Sequence, residues 1–347
     1  MPLWVMHHFA IKSIHIAIVI CDHGLGHHRR AIILANYLSK HNCIVTLIGD
    51  TSKITFLSVL LPLDSCIFLL DFKPNISPDK FCKSFARITS VLSSLPSLKN
   101  YDIVISDNLL EVLLYREDAY ILAQFFWHQS LKDISPSYFD GCEFLLNKFN
   151  PVVFGSWPFC SQSITSLPNF QRIGLFAPIN VNVCSRSLGF NLLITGGSTQ
   201  CLNKYLSSFI DNLNSSGKYL IFNNIFLDPQ LYSNDLPPIF RPATFTQQMF
   251  SIISHAIVRP GLGIISDLIR HNCYLFITYE LYNTEMSFNA DILIKYNYGE
   301  VVSIDSIVYF SNSFDRDFFL SRQVRSNEFN FDGPFDILKY LCVPFKL

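Results

Sequence analysis

At 347 residues the chain exceeds what one hydrophobic core usually serves, which points to two domains. Half of its residues are hydrophobic and 15% are charged, which excludes a disordered chain. Lys and Arg number 26 against 27 Asp and Glu, and the net charge of -1 argues against a nucleic-acid binder, which needs a basic excess to neutralise phosphates.

The first predicted unit organises the rest of the chain. Residues 14–21 form a short β-branched run, read as a strand. Residues 31–38 place Ile33, Leu34, Tyr37 and Leu38 on one helical face. Between them lies Gly24-Leu25-Gly26-His27-His28-Arg29-Arg30. A strand, a glycine turn and a helix start make an anion site, because free N–H groups and the helix dipole point into the turn.

Strand-like runs come next at 43–50, 66–70, 102–107 and 120–126, with a helix predicted over 78–95. Strands alternating with helices imply a parallel sheet with crossovers. Such sheets bind ligands beyond the C-terminal ends of their strands. That places Asp22, His27, Asp107 and His128 along one edge. Residues 129–150 read as a long loop holding a short helix near 139–148, and 151–155 as the closing strand. We assign residues 1–175 to the first domain, 176–188 to a linker and 189–333 to the second domain, followed by an apolar tail over 334–347.

The pattern restarts at 190–199 with a strand and the turn Gly196-Gly197-Ser198. A second turn, Pro260-Gly261-Leu262-Gly263, follows the strand predicted at 255–259. Two such turns aimed at one crevice suit a pyrophosphate. Arg259 adds charge there or forms a surface ion pair. Asp267, one turn into the next helix, is placed to accept ribose hydroxyls, or is an acid near a helix N-terminus. Glu285 and Asn289 lie four apart on one helix face, facing sugar hydroxyls or solvent.

Ten scattered cysteines read as reduced thiols in a cytoplasmic protein. No run reaches the ~18 apolar residues of a spanning helix. With 32 phenylalanines, contact with a membrane surface stays open. No Cys-x-x-Cys or His-Glu-x-x-His spacing occurs, so no metal site is expected.

These residues resemble the GT-B glycosyltransferases, most of all the branch of the peptidoglycan lipid-intermediate N-acetylglucosaminyltransferase and related UDP-sugar enzymes. Gly24 to Arg30 is similar to the Gly-x-Gly-His-x-x-Arg loop of that group. Gly196-Gly197-Ser198 is similar to its Gly-Gly-Ser turn, and Phe245-Thr246-Gln247-Gln248-Met249 to its uracil-contacting segment. Arg259 to Asp267 resembles the diphosphate turn with its ribose acid, Asp standing where Glu is commoner. Glu285 to Ala290 resembles the donor-sugar turn, with Met286 in place of a glutamine.

The resemblance implies an α/β fold of two Rossmann-like parallel-sheet domains facing a cleft, with the tail returning to the first domain. It implies a nucleotide-sugar donor, UDP-linked, held by Gly24, Gly26, Gly196, Gly197, Ser198, Phe245, Thr246, Met249, Arg259, Gly261, Gly263, Asp267, Glu285 and Asn289. The acceptor is a saccharide, a lipid-linked molecule or a small molecule, and neither metal nor further cofactor is implied. His27 is the first choice for the base, since an imidazole titrates near neutrality; it is otherwise a donor to a phosphate or acceptor oxygen. His128 and Asp107 are the alternatives. Two rivals remain: a UDP-sugar hydrolase of the pseudaminic-acid-pathway type, and a non-catalytic nucleotide-sugar-binding subunit of a membrane complex. A dinucleotide oxidoreductase is disfavoured, because the first turn lacks the third glycine of that fingerprint.

Overall fold

The computed structural model describes residues 13–22, 24–73, 94–178, 191–195, 220–223, 240–280, 283–303 and 329–342. Outside these lie the apolar start of the chain, His23, nearly all of the helix expected at 78–95, most of the linker, and Gly196, Gly197 and Ser198.

The first sheet has seven strands: β1 (Ile14–Ile20), β2 (Cys43–Gly49), β3 (Ile67–Asp71), β4 (Ile103–Asp107), β5 (Tyr120–Leu122), β6 (Val153–Ser156) and β7 (Phe170–Ile173). Their order is β3-β2-β1-β4-β5-β6-β7, and every pairing is parallel. The helices are α1 (Leu25–Ser39), α2 (Thr51–Ser58), α3 (Trp127–Ser130), α4 (Pro136–Phe149) and α5 (Gln162–Thr165). Ile16 to Ile20 are buried, as expected of a central strand covered on both faces.

The second sheet runs β10-β9-β8-β11-β12-β13, also parallel. Its strands are β8 (Asn191–Thr195), β9 (Leu220–Asn223), β10 (Phe240–Pro242), β11 (His255–Val258), β12 (Tyr274–Ile277) and β13 (Gly299–Val301). Helices α6 (Gln247–Ile252), α7 (Leu262–Arg270) and α8 (Thr284–Lys295) go with it.

The last helix, α9 (Gly333–Cys342), returns to the first domain. Its Ile337 and Leu341 are buried in the same core cluster as Ile33 and Leu38 of α1. A bridge between Phe176 and Asp332, and the Gly174 N–H donating to Asp336 at 2.9 Å, fix the crossing. In the reverse direction, Phe159 and Leu175 are buried in the core of the second domain.

Three elements differ from expectation. The first sheet closes on β7, not β6; Phe-Gln-Arg-Ile is a polar edge strand without the apolar run that marks inner strands. Residues 129–150 are largely helical, because Pro136 opens α4 at its first turn and Asn150 ends it in a left-handed conformation. The final strand lies at β13, two residues ahead of the run predicted over 301–304.

Candidate active site

Each sheet changes direction at its centre. From β1 the chain steps outward to β2, and later resumes on the other side with β4. Beyond the carboxyl ends at such a switch point lies the crevice where open α/β sheets take ligands. The turn after β1 carries Gly24 and Gly26, and β4 ends at Asp107, which pairs in register with Ile20. In the second sheet the switch falls between β8 and β11, and the turn after β11 carries Arg259 to Gly263.

The helices leaving the two turns, α1 and α7, have glycine at the N-cap and no side-chain cap. Their first N–H groups are therefore left for a ligand. Helices α3, α4 and α5 also lack a side-chain cap but do not start on glycine, while α2, α6 and α8 are capped by Asp50, Thr246 and Asn283. Gly24 has φ +76° and ψ 180°, a conformation open essentially to glycine alone. A Cβ at Gly24, Gly26 or Gly261 would meet nothing within 4 Å, so these turns border open space. A Cβ at Gly263 would lie 3.4 Å from the Gly26 Cα, so the two turns face each other across the domains.

On the first wall, His27 Nδ1 lies 2.8 Å from Asp107 Oδ1. Against that carboxylate Nδ1 acts as the donor, and Arg30 Nη2 lies 3.3 Å from the same nitrogen. Asp107 is fully buried, and it also accepts from Arg30 Nε at 3.2 Å and from Arg30 Nη2. Burial alone would raise the Asp107 carboxyl; the charges of Arg30 and His27, with their hydrogen bonds, outweigh it and hold the group below the usual range. Arg30 is anchored in turn by donating to Gln124. Asp107 is thus an ionised orienter, with both oxygens engaged.

His128 stands apart from this pair. It is buried, its Nε2 is 2.8 Å from Glu143 Oε1, and its ring stacks on Phe126. Burial lowers its pKa, with Glu143 opposing. None of these partners is shared with His27.

The charged groups of the second wall are paired, Asp267 across the domains. Arg259 Nε donates to Glu280 Oε2 at 3.0 Å. Asp267 is buried and accepts from Arg29 of α1 and from Gln247 Nε2 at 3.3 Å. Asn289 is buried and donates to the Pro260 carbonyl at 2.9 Å, which ties α8 to the glycine turn. Met249 is buried in the core and its N–H donates to Thr246 Oγ1 at 3.3 Å, so that amide is spent on the cap. Phe245, just before this cap, adopts φ +51°, a strained value for a bulky side chain. Glu285 is largely buried. Burial raises its carboxyl against the pull of His27, Arg259 and Arg30.

The sequence motifs single out His27, Asp107, Gly26, Gly261, Gly263, Arg259, Asp267 and Glu285, and the fold brings these together. His128 is paired with Glu143, the Met249 amide with Thr246 and Asn289 with the Pro260 carbonyl. Sequence reasoning passed over Arg29, Arg30, Gln124, Gln247 and Glu280 as partners. The one available signal was the arginine pair on the first turn of α1. Among the described residues no group of three or more His, Cys, Asp and Glu side chains is disposed to hold a metal ion, and no helix is long and apolar enough to cross a membrane.

Compared with family models and with curated protein sequences, the chain matches none. Solved structures do resemble it. CalG4, the calicheamicin glycosyltransferase, superimposes with a TM-score of 0.65 at 14% identity, over 97% of this chain and 100% of that one. The kitacinnamycin glycotransferase gives 0.62 at 12% identity, over 94% and 99%. Arabidopsis thaliana UGT89C1, complexed with UDP, gives 0.61 at 10% identity, over 96% and 100%. The fold of this chain is the GT-B fold, shared with these structures over 94–97% of its length.

Proposed function

We propose that the protein is a glycosyltransferase that moves a sugar from a nucleotide-sugar donor, UDP-linked, to an acceptor hydroxyl. The observation that carries this reading is the His27–Asp107 pair at 2.8 Å, set at the uncapped start of α1 and facing the glycine turn of α7. UGT89C1 complexed with UDP and with quercetin supports a nucleotide donor and a small-molecule acceptor.

In this mechanism His27 Nε2 removes the proton of the acceptor hydroxyl as its oxygen attacks the anomeric carbon. The bond from that carbon to the diphosphate breaks, and the nucleoside diphosphate leaves with the electron pair. The N–H groups opening α1 and α7 stabilise the charge that develops there. Asp107 holds the imidazole in its working tautomer and stabilises the imidazolium. Glu285 is placed to accept from donor-sugar hydroxyls. Main-chain amides take part of the leaving-group charge, and the reading assigns no step to a metal.

The test is UDP release from UDP-sugars with and without a panel of phenolic and saccharide hydroxyl acceptors, with both products identified by mass spectrometry. Release that depends on an acceptor, with the sugar recovered on it, is expected. Equal release without acceptor, giving free sugar, contradicts transfer and favours hydrolysis.

A further inference from the structure

Asp267 occupies the position that resembles a ribose-binding acid, yet a guanidinium from the opposite wall already holds it. Arg29 of α1 donates to Asp267 Oδ2, while Gln247 reaches Oδ1 and is itself tied to His271 at 3.1 Å. The Asp267 side chain is 1% exposed and that of Arg29 15%, so the carboxylate is buried beneath a guanidinium that solvent still reaches. Arg29 crosses between the domains beside the second glycine turn, its Cδ 4.0 Å from where a Cβ on Gly263 would sit. This arginine is not the one of the Gly-x-Gly-His-x-x-Arg loop; that one is Arg30, committed to Asp107.

We propose that Arg29 is a donor-binding residue that the nucleotide itself releases. Without ligand it joins the two walls through Asp267. An arriving ribose takes the Asp267 carboxylate with its hydroxyls and displaces the guanidinium. Arg29 then pairs with the diphosphate at the turn it already borders, where a planar fork matches phosphate oxygens. The positive charge thus moves to the leaving group only when a nucleotide is seated. Neither half of the ligand is bound at full strength by the unliganded chain, since the occupied seat reduces apparent affinity by the fraction of molecules in which it is free. This inference rests on the nucleotide-sugar reading above.

The test measures uridine, pyrophosphate and UDP binding by calorimetry on the full chain and on two variants. Arg29→Met removes the competitor and the phosphate contact together: uridine should bind at least about tenfold tighter, and pyrophosphate more weakly. Asp267→Asn releases Arg29 and keeps the side-chain size: pyrophosphate should bind tighter and uridine more weakly. Opposite movement of the two fragments is a signature that loosened packing cannot produce, and either variant alone reads it if the other fails to fold. Fragments that move together, or not at all, in a chain that binds UDP overturn the role of Arg29 alone. A wild-type chain that binds no UDP overturns the nucleotide reading, and this inference with it.

Discussion

The two walls of the cleft are built on the same plan and finished differently. Each has a central strand, a glycine turn and a helix with an uncapped start. On the first wall, Arg30, Asp107 and Gln124 lock one another behind His27 and leave its Nε2 for the groove. On the second, Asp267 and Arg259 are held by Arg29 and Glu280. A wall that does chemistry needs a fixed geometry before substrate arrives. A wall that holds a ligand can keep its charges paired until the ligand replaces the partner. The contrast says which polar groups are preorganised and which are exchangeable.

The sharpest way to break that contrast is Asp107→Asn. It strips the anion from Arg30 and His27 in a buried setting, where losing one partner of an ion pair costs about 3–5 kcal/mol. Thermal denaturation should register that loss, and turnover should fall in the fraction that still folds, because His27 loses its fixed tautomer. Unchanged stability and rate would mean that the first wall is not locked.

A smaller effect sharpens the same picture through pH. His28 is fully buried in α1, its Nδ1 3.1 Å from the Gly24 carbonyl, and burial lowers its pKa. Burial lowers that of His128 as well. The unfolded chain takes up these protons near the ordinary value of 6.5, and the folded chain only at lower pH. Stability from both is therefore complete above that value and is lost as pH falls below it. Asp50 acts in a lower window: burial would raise it, but hydrogen bonds from Ser52, with Lys73, bring it down to about 2. Its contribution is present above the ordinary value of 3.8 and is lost as pH falls toward 2. Melting temperature followed against pH should decline in these two steps, and His28→Asn should flatten the first. A melting temperature that rises on acidification from 6.5 contradicts the assignment.

Much of the fold was legible in the chain. The strand, glycine turn and helix at Ile14 to Leu38 read correctly because β-branching, the turn and the helical spacing all agree. So did the restart at β8 and the second turn. Two failures have a physical cause. The polar edge strand β7 has no pattern of its own, since an edge is defined by its neighbour. The helix expected at 139–148 begins three residues earlier, as α4 at Pro136, because its start depends on that proline at the first turn rather than on a capping side chain. At the site, residue types were readable and partners were not. Asp107 and His27 are 80 residues apart and meet only because β4 lies beside β1. Arg29 and Asp267 are 238 apart and meet only because the domains do. Strand order and domain apposition are non-local facts, which spacing along the chain does not carry.

The central claim is that His27 removes the acceptor proton while the rest of the cleft holds the donor. His27→Ala, assayed beside the wild type for sugar transfer and for UDP affinity, tests it most directly. The account predicts a turnover lower by about 10²–10⁴, the usual contribution of a general base, with UDP bound as tightly as before. A variant that turns over at the wild-type rate would contradict it.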